Sequence, residues 1–135
     1  MPEPGLPTYV TDTHSLIWYL TDSPRLSLGA NRCFKLIEEG KAKLLIPAIV
    51  MAEIIYIVEK GKVEANVDNL VDRIREAENF ELSLLGIDQL LCFKDQKRIE
   101  EMHDRLIVCE ALLNGATLIT KDKKIKEAGV VDVCW

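Results

Sequence analysis

Short apolar, β-branched runs alternate with longer stretches of helical period along the chain. Tyr9-Val10-Thr11 is such a run and reads as a strand that ends on Asp12. Thr13 can then cap a helix carrying Leu16, Ile17, Trp18 and Leu20. Thr21-Asp22-Ser23-Pro24 is a turn, and Leu28, Cys33, Leu36 and Ile37 mark the inner side of a helix from about Leu26 to Glu39. Gly40 stops it. Lys43 to Ile46 reads as a buried strand, and Pro47 can start the next helix, Ala48 to Lys60. That helix is apolar almost all round, so it needs cover from the sheet or from a partner subunit.

The second half is more polar. Val63 to Asn79 predicts an amphipathic helix with Val67, Leu70, Val71 and Ile74 on one side. Phe80 to Leu85 suits a strand, and Ile87 to Glu101 a charged helix with Leu90, Leu91, Phe93 and Ile99 as its apolar contacts. His103-Asp104 opens a helix to about Leu113, and Gly115 stops it. Ala116 to Thr120 reads as a strand, Asp122 caps a short helix over Lys123 to Ala128, and Val130 to Val133 reads as a last strand. Regular alternation of this kind predicts an α/β/α sandwich with a mostly parallel central sheet of about five strands. No repeat, linker or low-complexity segment divides residues 1–135, which read as a single domain with an irregular lead-in over residues 1–7.

Composition adds limits. The chain has 135 residues, 48% hydrophobic and 29% charged, an ordinary globular profile with material for a proper core. Its longest apolar run, around Leu44 to Val58, contains Glu53 and is too short for a membrane span. MPEPGLPTYV has neither the basic nor the apolar region of a secretory leader, so a cytoplasmic location is expected. Cys33, Cys92, Cys109 and Cys134 form no CxxC and have no paired histidines. They read as free thiols in a reducing compartment, with Cys109 in the core. A net charge of −5 argues against broad nucleic-acid binding by the whole-molecule field. It leaves room for a nuclease whose metal ions offset a local acidic site.

Four acids stand out: Asp12, Glu53, Asp104 and Asp122. Helix capping by itself accounts for an aspartate at the end of a strand or the start of a helix, as at positions 12, 104 and 122. Glu53 is the lone charge in the apolar run from Leu44 to Val58 and needs a partner, whether a salt bridge to Arg105 or Lys121 or a cation. If the strands at Tyr9–Thr11 and Ala116–Thr120 pair in parallel, all four acids can reach one end of the sheet. Close carboxylates repel unless a cation sits among them, and hard oxygen donors select Mg²⁺ or Mn²⁺. Metal-assisted hydrolysis of a phosphodiester fits such a site.

The segments YVTDTHSLIWYL, PAIVMAE and MHDRLIVCEALLNGATLITKD, which span nearly the whole chain, resemble the PIN-domain family. Within that family the closest resemblance is to the VapC-type ribonuclease toxins of toxin–antitoxin pairs. The resemblance implies Asp12, Glu53, Asp104 and Asp122 as catalytic, metal-binding acids, with Thr120 holding an acid or a water in the T-x-D position. It also implies an endoribonuclease acting on RNA with Mg²⁺ or Mn²⁺, a homodimer, and a cognate antitoxin that blocks the cleft. One departure is the absence of a hydroxyl residue among Ala48, Ile49, Val50 and Met51, just ahead of Glu53.

Around the acids, Thr13 and Arg105 are candidate supporting residues, Arg105 by pairing with an acid or a phosphate. Lys121, Lys123, Lys124 and Lys126 make the densest basic patch, and Lys121 and Lys124 are candidate RNA contacts. His14 and His103 are more simply cap or surface residues. Competing readings are an RNA-processing nuclease outside a toxin–antitoxin pair, a non-catalytic RNA- or protein-binding module, and a phosphoacceptor receiver domain. The receiver needs an acid pair after the first strand, where the chain has only Asp12.

Overall fold

The computed structural model describes residues 5–135, so the first part of the lead-in lies outside the described residues. In chain order the elements are β1 (Thr8–Thr11), α1 (Thr13–Leu20), α2 (Leu28–Glu38), β2 (Lys43–Pro47), α3 (Ala48–Glu59) and α4 (Val67–Glu76). They continue with β3 (Phe80–Ser83), α5 (Ile87–Asp95), α6 (Met102–Leu113), β4 (Thr117–Ile119), α7 (Lys123–Ala128) and β5 (Val133–Cys134). The five strands form one sheet in the order β3-β2-β1-β4-β5. All neighbouring strands pair in parallel, with Val10 opposite both Leu45 and Leu118 in the register. The sheet grows outward from β1 on one side, then restarts at β4 on the other, so the switch point lies between β1 and β4.

A parallel sheet covered on both faces favours continuous apolar strands over alternating ones. Leu44, Leu45 and Ile46 of β2 and Leu118 and Ile119 of β4 meet that demand and are buried. Leu16 and Ile17 of α1, Phe34 and Ile37 of α2, Ile54 of α3 and Ile107 of α6 close over them. Tyr19 stacks on Phe34 with ring centroids 4.2 Å apart, and its hydroxyl donates to Glu38, which ties α1 to α2. Truncating a fully buried aromatic such as Phe34 to alanine costs about 3–5 kcal/mol.

Several elements differ from the sequence-based boundaries, each for a local reason. The helix expected over Val63 to Asn79 starts only at Val67, because the Asn66 side chain accepts the Asn69 N–H and caps it there. The helix expected over Ile87 to Glu101 stops at Asp95. Beyond it Ile99 turns into the core, and the Arg105 guanidinium binds the Ile99 carbonyl at 2.6 Å, which replaces the lost helical bond. The last strand covers Val133–Cys134 in place of Val130 to Val133. Only Val50 and Ile54 of α3 are fully buried, so much of its apolar surface is partly covered, and Tyr56 is exposed.

The cysteine reading needs a larger correction. Cys33 of α2 and Cys134 of β5 form a disulfide that encloses 101 residues of sequence separation. The two ends of this link approach because α2 packs beside β5, and Gly29 lets the Trp135 backbone come close, where any side chain would collide with the Trp135 carbonyl. Cys92 and Cys109 are free, and Cys109 is buried. Burial and the neighbouring Cys92 thiol push the Cys109 thiol up to about 12.

One buried acid is structural. Glu110, with 4% exposure, accepts hydrogen bonds from Ser83, from Gln89 at 3.1 Å and from Asn114 at 3.1 Å. It thereby joins β3, α5 and α6 through neutral donors.

Candidate active site at the carboxyl edge of the sheet

Asp12 is the first residue beyond β1, and its own N–H continues the ladder to the Ile119 carbonyl at 3.2 Å. It is the N-cap of α1, where Thr13 was the expected cap: Asp12 Oδ1 accepts the Ser15 N–H at 2.9 Å. Across the switch point the buried Thr120 hydroxyl donates to Asp12 Oδ2 at 2.5 Å. The same Thr120 oxygen accepts the Asp122 N–H at 3.1 Å. Asp122 in turn caps α7 through the Ile125 N–H at 3.0 Å. A single threonine thus links two of the candidate acids.

Thr13, freed from capping, is the first residue of α1 and donates its hydroxyl to Glu53 Oε1 at 2.8 Å. Glu53 is half-buried on α3, which packs against α1 and α6. Asp104 lies in the first turn of α6, and the cap of that helix is Glu101, whose carboxylate accepts the Asp104 N–H at 2.6 Å. Glu101 also meets His103 Nδ1 at 2.7 Å. Burial acts to raise the Glu101 carboxyl, but the hydrogen bonds from Asp104 and His103 outweigh it and hold it low. The bond to Glu101 is the main reason the His103 imidazole is raised.

Electrostatics show that the acids share one region. The Asp104 carboxyl is pushed up to about 6, first by burial and then by the charges of Glu101, Asp122, Asp12 and Glu53. No ion pair among the described residues involves Asp12, Glu53, Asp104 or Asp122. The side chains are not drawn tightly together: no three His, Cys, Asp or Glu groups among the described residues converge closely enough to ligate one ion directly. These observations agree if the acids face one another at Coulombic range without touching a common point. Mg²⁺ usually keeps several of its waters, so a donor set of this kind suits it.

Arg105 is placed otherwise than expected. It binds the Ile99 carbonyl and lies over the Phe93 ring at 4.7 Å, so its guanidinium holds the α5–α6 connection and meets neither Glu53 nor another acid. Lys121 reaches the Trp18 ring, 5.8 Å from its centroid. Lys124 lines a cavity of about 860 Å³ together with Arg98, Glu101 and Asp104. Glu101 and Arg98 escape a reading built on strand ends, and glutamate is not among the residues favoured at a helix cap, so the chain gives no local signal for Glu101.

In doubly wound α/β folds, ligands bind beyond the carboxyl ends of the strands at the switch point, which is where Asp12, Thr120 and Asp122 stand. The fold and site define a parallel α/β domain with an acidic cluster at its switch point. Residues 9–131 match the PIN domain family, and the chain belongs to it. No curated protein matches the sequence. Among solved structures, the fold is similar to VapBC2 from Rickettsia felis bound to a promoter DNA fragment, with a TM-score of 0.72 and 19% identity. That likeness covers 93% of this chain and 96% of that chain. VapBC-1 from nontypeable Haemophilus influenzae is similar over 93% of this chain and 96% of that one, with a TM-score of 0.61 and 23% identity. FitAcB from Neisseria gonorrhoeae is similar over 93% and 95%, with a TM-score of 0.64 and 17% identity.

Proposed function

We propose that this chain is a divalent-metal-dependent endoribonuclease and the toxin of a type II toxin–antitoxin pair. The observation that carries the reading is the acid cluster with no cation of its own. Asp104 is raised first by burial and then by the charges of Glu101, Asp122, Asp12 and Glu53, and no lysine or arginine pairs with the four acids among the described residues. A cluster kept only for stability would be neutralised by basic side chains, because uncompensated like charge costs stability. The family and the toxin–antitoxin complexes among similar folds support the same assignment.

Asp12, Glu53, Asp104 and Asp122 would hold Mg²⁺ or Mn²⁺. When bound, the ion acidifies a water and offsets charge on the phosphoryl oxygens. The chain's own residues position this chemistry. Thr120 and the Ser15 N–H fix both Asp12 oxygens, and Thr13 fixes Glu53, so the carboxylates meet the substrate in set orientations. Hydrolysis would make a bond from the water oxygen to phosphorus and break the bond from phosphorus to the ribose oxygen. The water's proton ends on that ribose oxygen, which gives a phosphate monoester at one end and a hydroxyl at the other.

An antitoxin would inhibit by covering the cleft. A second copy of the chain would cover the apolar face formed by Leu84, Leu85, Ile87 and Leu91, all exposed around the start of α5. No helix among the described residues is long and apolar enough to cross a membrane. We place the activity in the cytoplasm, where its RNA substrate is and where the Cys33–Cys134 pair would meet reducing conditions.

The deciding experiment is cleavage of labelled single-stranded RNA with Mg²⁺ or Mn²⁺, against EDTA and Asp12→Asn controls. Cleavage lost in both controls is the expected result. A folded protein that cuts no RNA with either metal would point to a non-catalytic binding module. Cleavage without an antitoxin reading frame beside the gene would favour an RNA-processing nuclease.

A further inference from the structure

We propose that Trp18 and Trp135, flanked by Lys121 and Arg25, form a stacking platform for an unpaired base of single-stranded RNA next to the acid cluster. This rests on the ribonuclease reading and adds to it the form of the substrate.

Both tryptophans of the chain are in this one place. Their ring centroids lie 5.9 Å apart at 59°, and the His14 ring is 5.7 Å from Trp18. Each indole is partly buried against the core and keeps an exposed part. Lys121 Nζ and the Arg25 guanidinium stand 5.8 and 6.0 Å from the Trp18 ring centre. That is the outer limit of a cation–π contact, about 6 Å, so they flank the indole more than they cap it. An indole serving only the core would be surrounded by apolar groups, and here two cations and an imidazole border it.

The chain connects the platform directly to the candidate acids. Lys121 lies between Thr120, which binds Asp12, and Asp122. His14 follows Thr13, which binds Glu53. A nucleotide stacked on Trp18 would therefore place its backbone beside the acids, with Lys121 and Arg25 available to its phosphates. Trp135 is held in position in advance. Its backbone lies against Gly29, and the preceding Cys134 carbonyl accepts the Thr120 N–H at 3.2 Å, which fixes the end of β5 beside β4. Such preorganisation lowers the entropy cost of binding.

Stacking of a base on an aromatic side chain is worth about 1–3 kcal/mol and tolerates any sequence, because every base has a π face. A duplex already uses that face, so the platform selects unpaired RNA. Since no other tryptophan exists in the chain, tryptophan emission, excited apart from that of the three tyrosines, reports on this platform alone.

The test uses the Asp104→Asn protein in Mg²⁺, which spares the RNA, with cleavage by the wild-type chain measured in parallel. A single-stranded RNA of mixed sequence should quench the tryptophan emission and bind more tightly than the same strand in a duplex. Trp18→Leu should lose about 5- to 150-fold in affinity, and Trp18→Phe, which keeps a ring, should retain most of it. Equal affinity for strand and duplex with unchanged emission would overturn the platform. So would wild-type cleavage whose kcat/KM is unaffected by Trp18→Leu, and that result would leave the nuclease reading standing. Quenching by single strands without cleavage by the wild-type chain would keep the platform and remove the nuclease. Emission altered only by an added protein partner, and by no RNA, would assign the patch to protein binding and overturn the proposal. If Trp18→Leu does not fold, the strand-against-duplex comparison and Lys121→Ala, expected to weaken binding severalfold, decide the matter.

Discussion

The Thr120 hydroxyl donates to Asp12 Oδ2 at 2.5 Å, joining residues 108 positions apart. The contact exists because Thr11 and Ile119 are register partners in neighbouring parallel strands, so the residues that follow them leave the sheet side by side. Thr120→Val keeps the shape but leaves Asp12 Oδ2 without this donor and the Asp122 N–H without its acceptor. Stability should fall by about 1–3 kcal/mol in urea unfolding, the usual cost of unmade buried hydrogen bonds. Metal-dependent RNA cleavage should fall about tenfold or more, since one misplaced carboxylate is enough to disturb the geometry. Full cleavage by a folded Thr120→Val protein would separate the threonine from the chemistry.

Asp104 sets a pH dependence. Its folded-state carboxyl lies at about 6, above its ordinary range. Below the unfolded value, about 3.9, the group is neutral in both states, and the folded state then loses stability as pH rises through about 6. The full shift corresponds to about 3 kcal/mol, and solvent screening of a half-exposed group reduces this to about 1 kcal/mol. In EDTA, Asp104→Asn should therefore melt higher than wild type at about pH 7.5 and equally at about pH 4. Adding Mg²⁺ at the higher pH should raise the wild-type melting temperature and leave the variant nearly unmoved. A variant that melts lower than wild type throughout would show that Asp104 supports the fold.

Arg98 and Lys124 line the cavity that also holds Glu101 and Asp104. If both contact phosphates, Arg98→Ala and Lys124→Ala should each lower the slope of log affinity against log salt by about one. The cleavage rate at saturating RNA should change little. An unchanged slope would take these cations out of the binding path.

Reduction should loosen the outer edge of the sheet. The Cys33–Cys134 link spans 101 residues, and a loop of about 100 residues corresponds to at most about 4.7 kcal/mol of chain entropy. Dithiothreitol, or Cys33→Ser, should lower the melting temperature by about 5 °C or more. Four titratable thiols in the untreated native protein would sink this expectation.

The centre of the parallel sheet is legible in the sequence because β2 and β4 are buried on both faces and so are nearly all apolar, as Leu44-Leu45-Ile46 is. The edge strand β3, by contrast, is half exposed and carries Glu81 and Ser83. The places of Asp12 and Asp122 follow from strand ends, which apolar runs mark well. What lies in longer polar stretches is harder to read. The break after Asp95 depends on Ile99 and Arg105 finding each other across a loop, and no local period records that contact. Arg105, expected to pair with an acid or a phosphate, is therefore found on the Ile99 carbonyl, with no acid partner among the described residues. The Cys33–Cys134 link depends on α2 lying beside β5, a tertiary relation with no spacing signal. Thr13 and Asp12 exchange roles at the start of α1 because either side chain can cap a helix, and only the nearness of Glu53 decides.

The strand order has a consequence for synthesis. Strand β4 enters the sheet beside β1 after β2 and β3 have been made, and Asp104 and Asp122 both belong to the last third of the chain. A growing polypeptide folds from its amino end as it emerges. Before β4 has emerged, it carries Asp12, Glu53 and Asp104 without Thr120 and Asp122, which complete the cluster. A product released before Thr120 and Asp122 are made therefore carries an incomplete acid cluster, with Asp12 lacking the threonine that holds it.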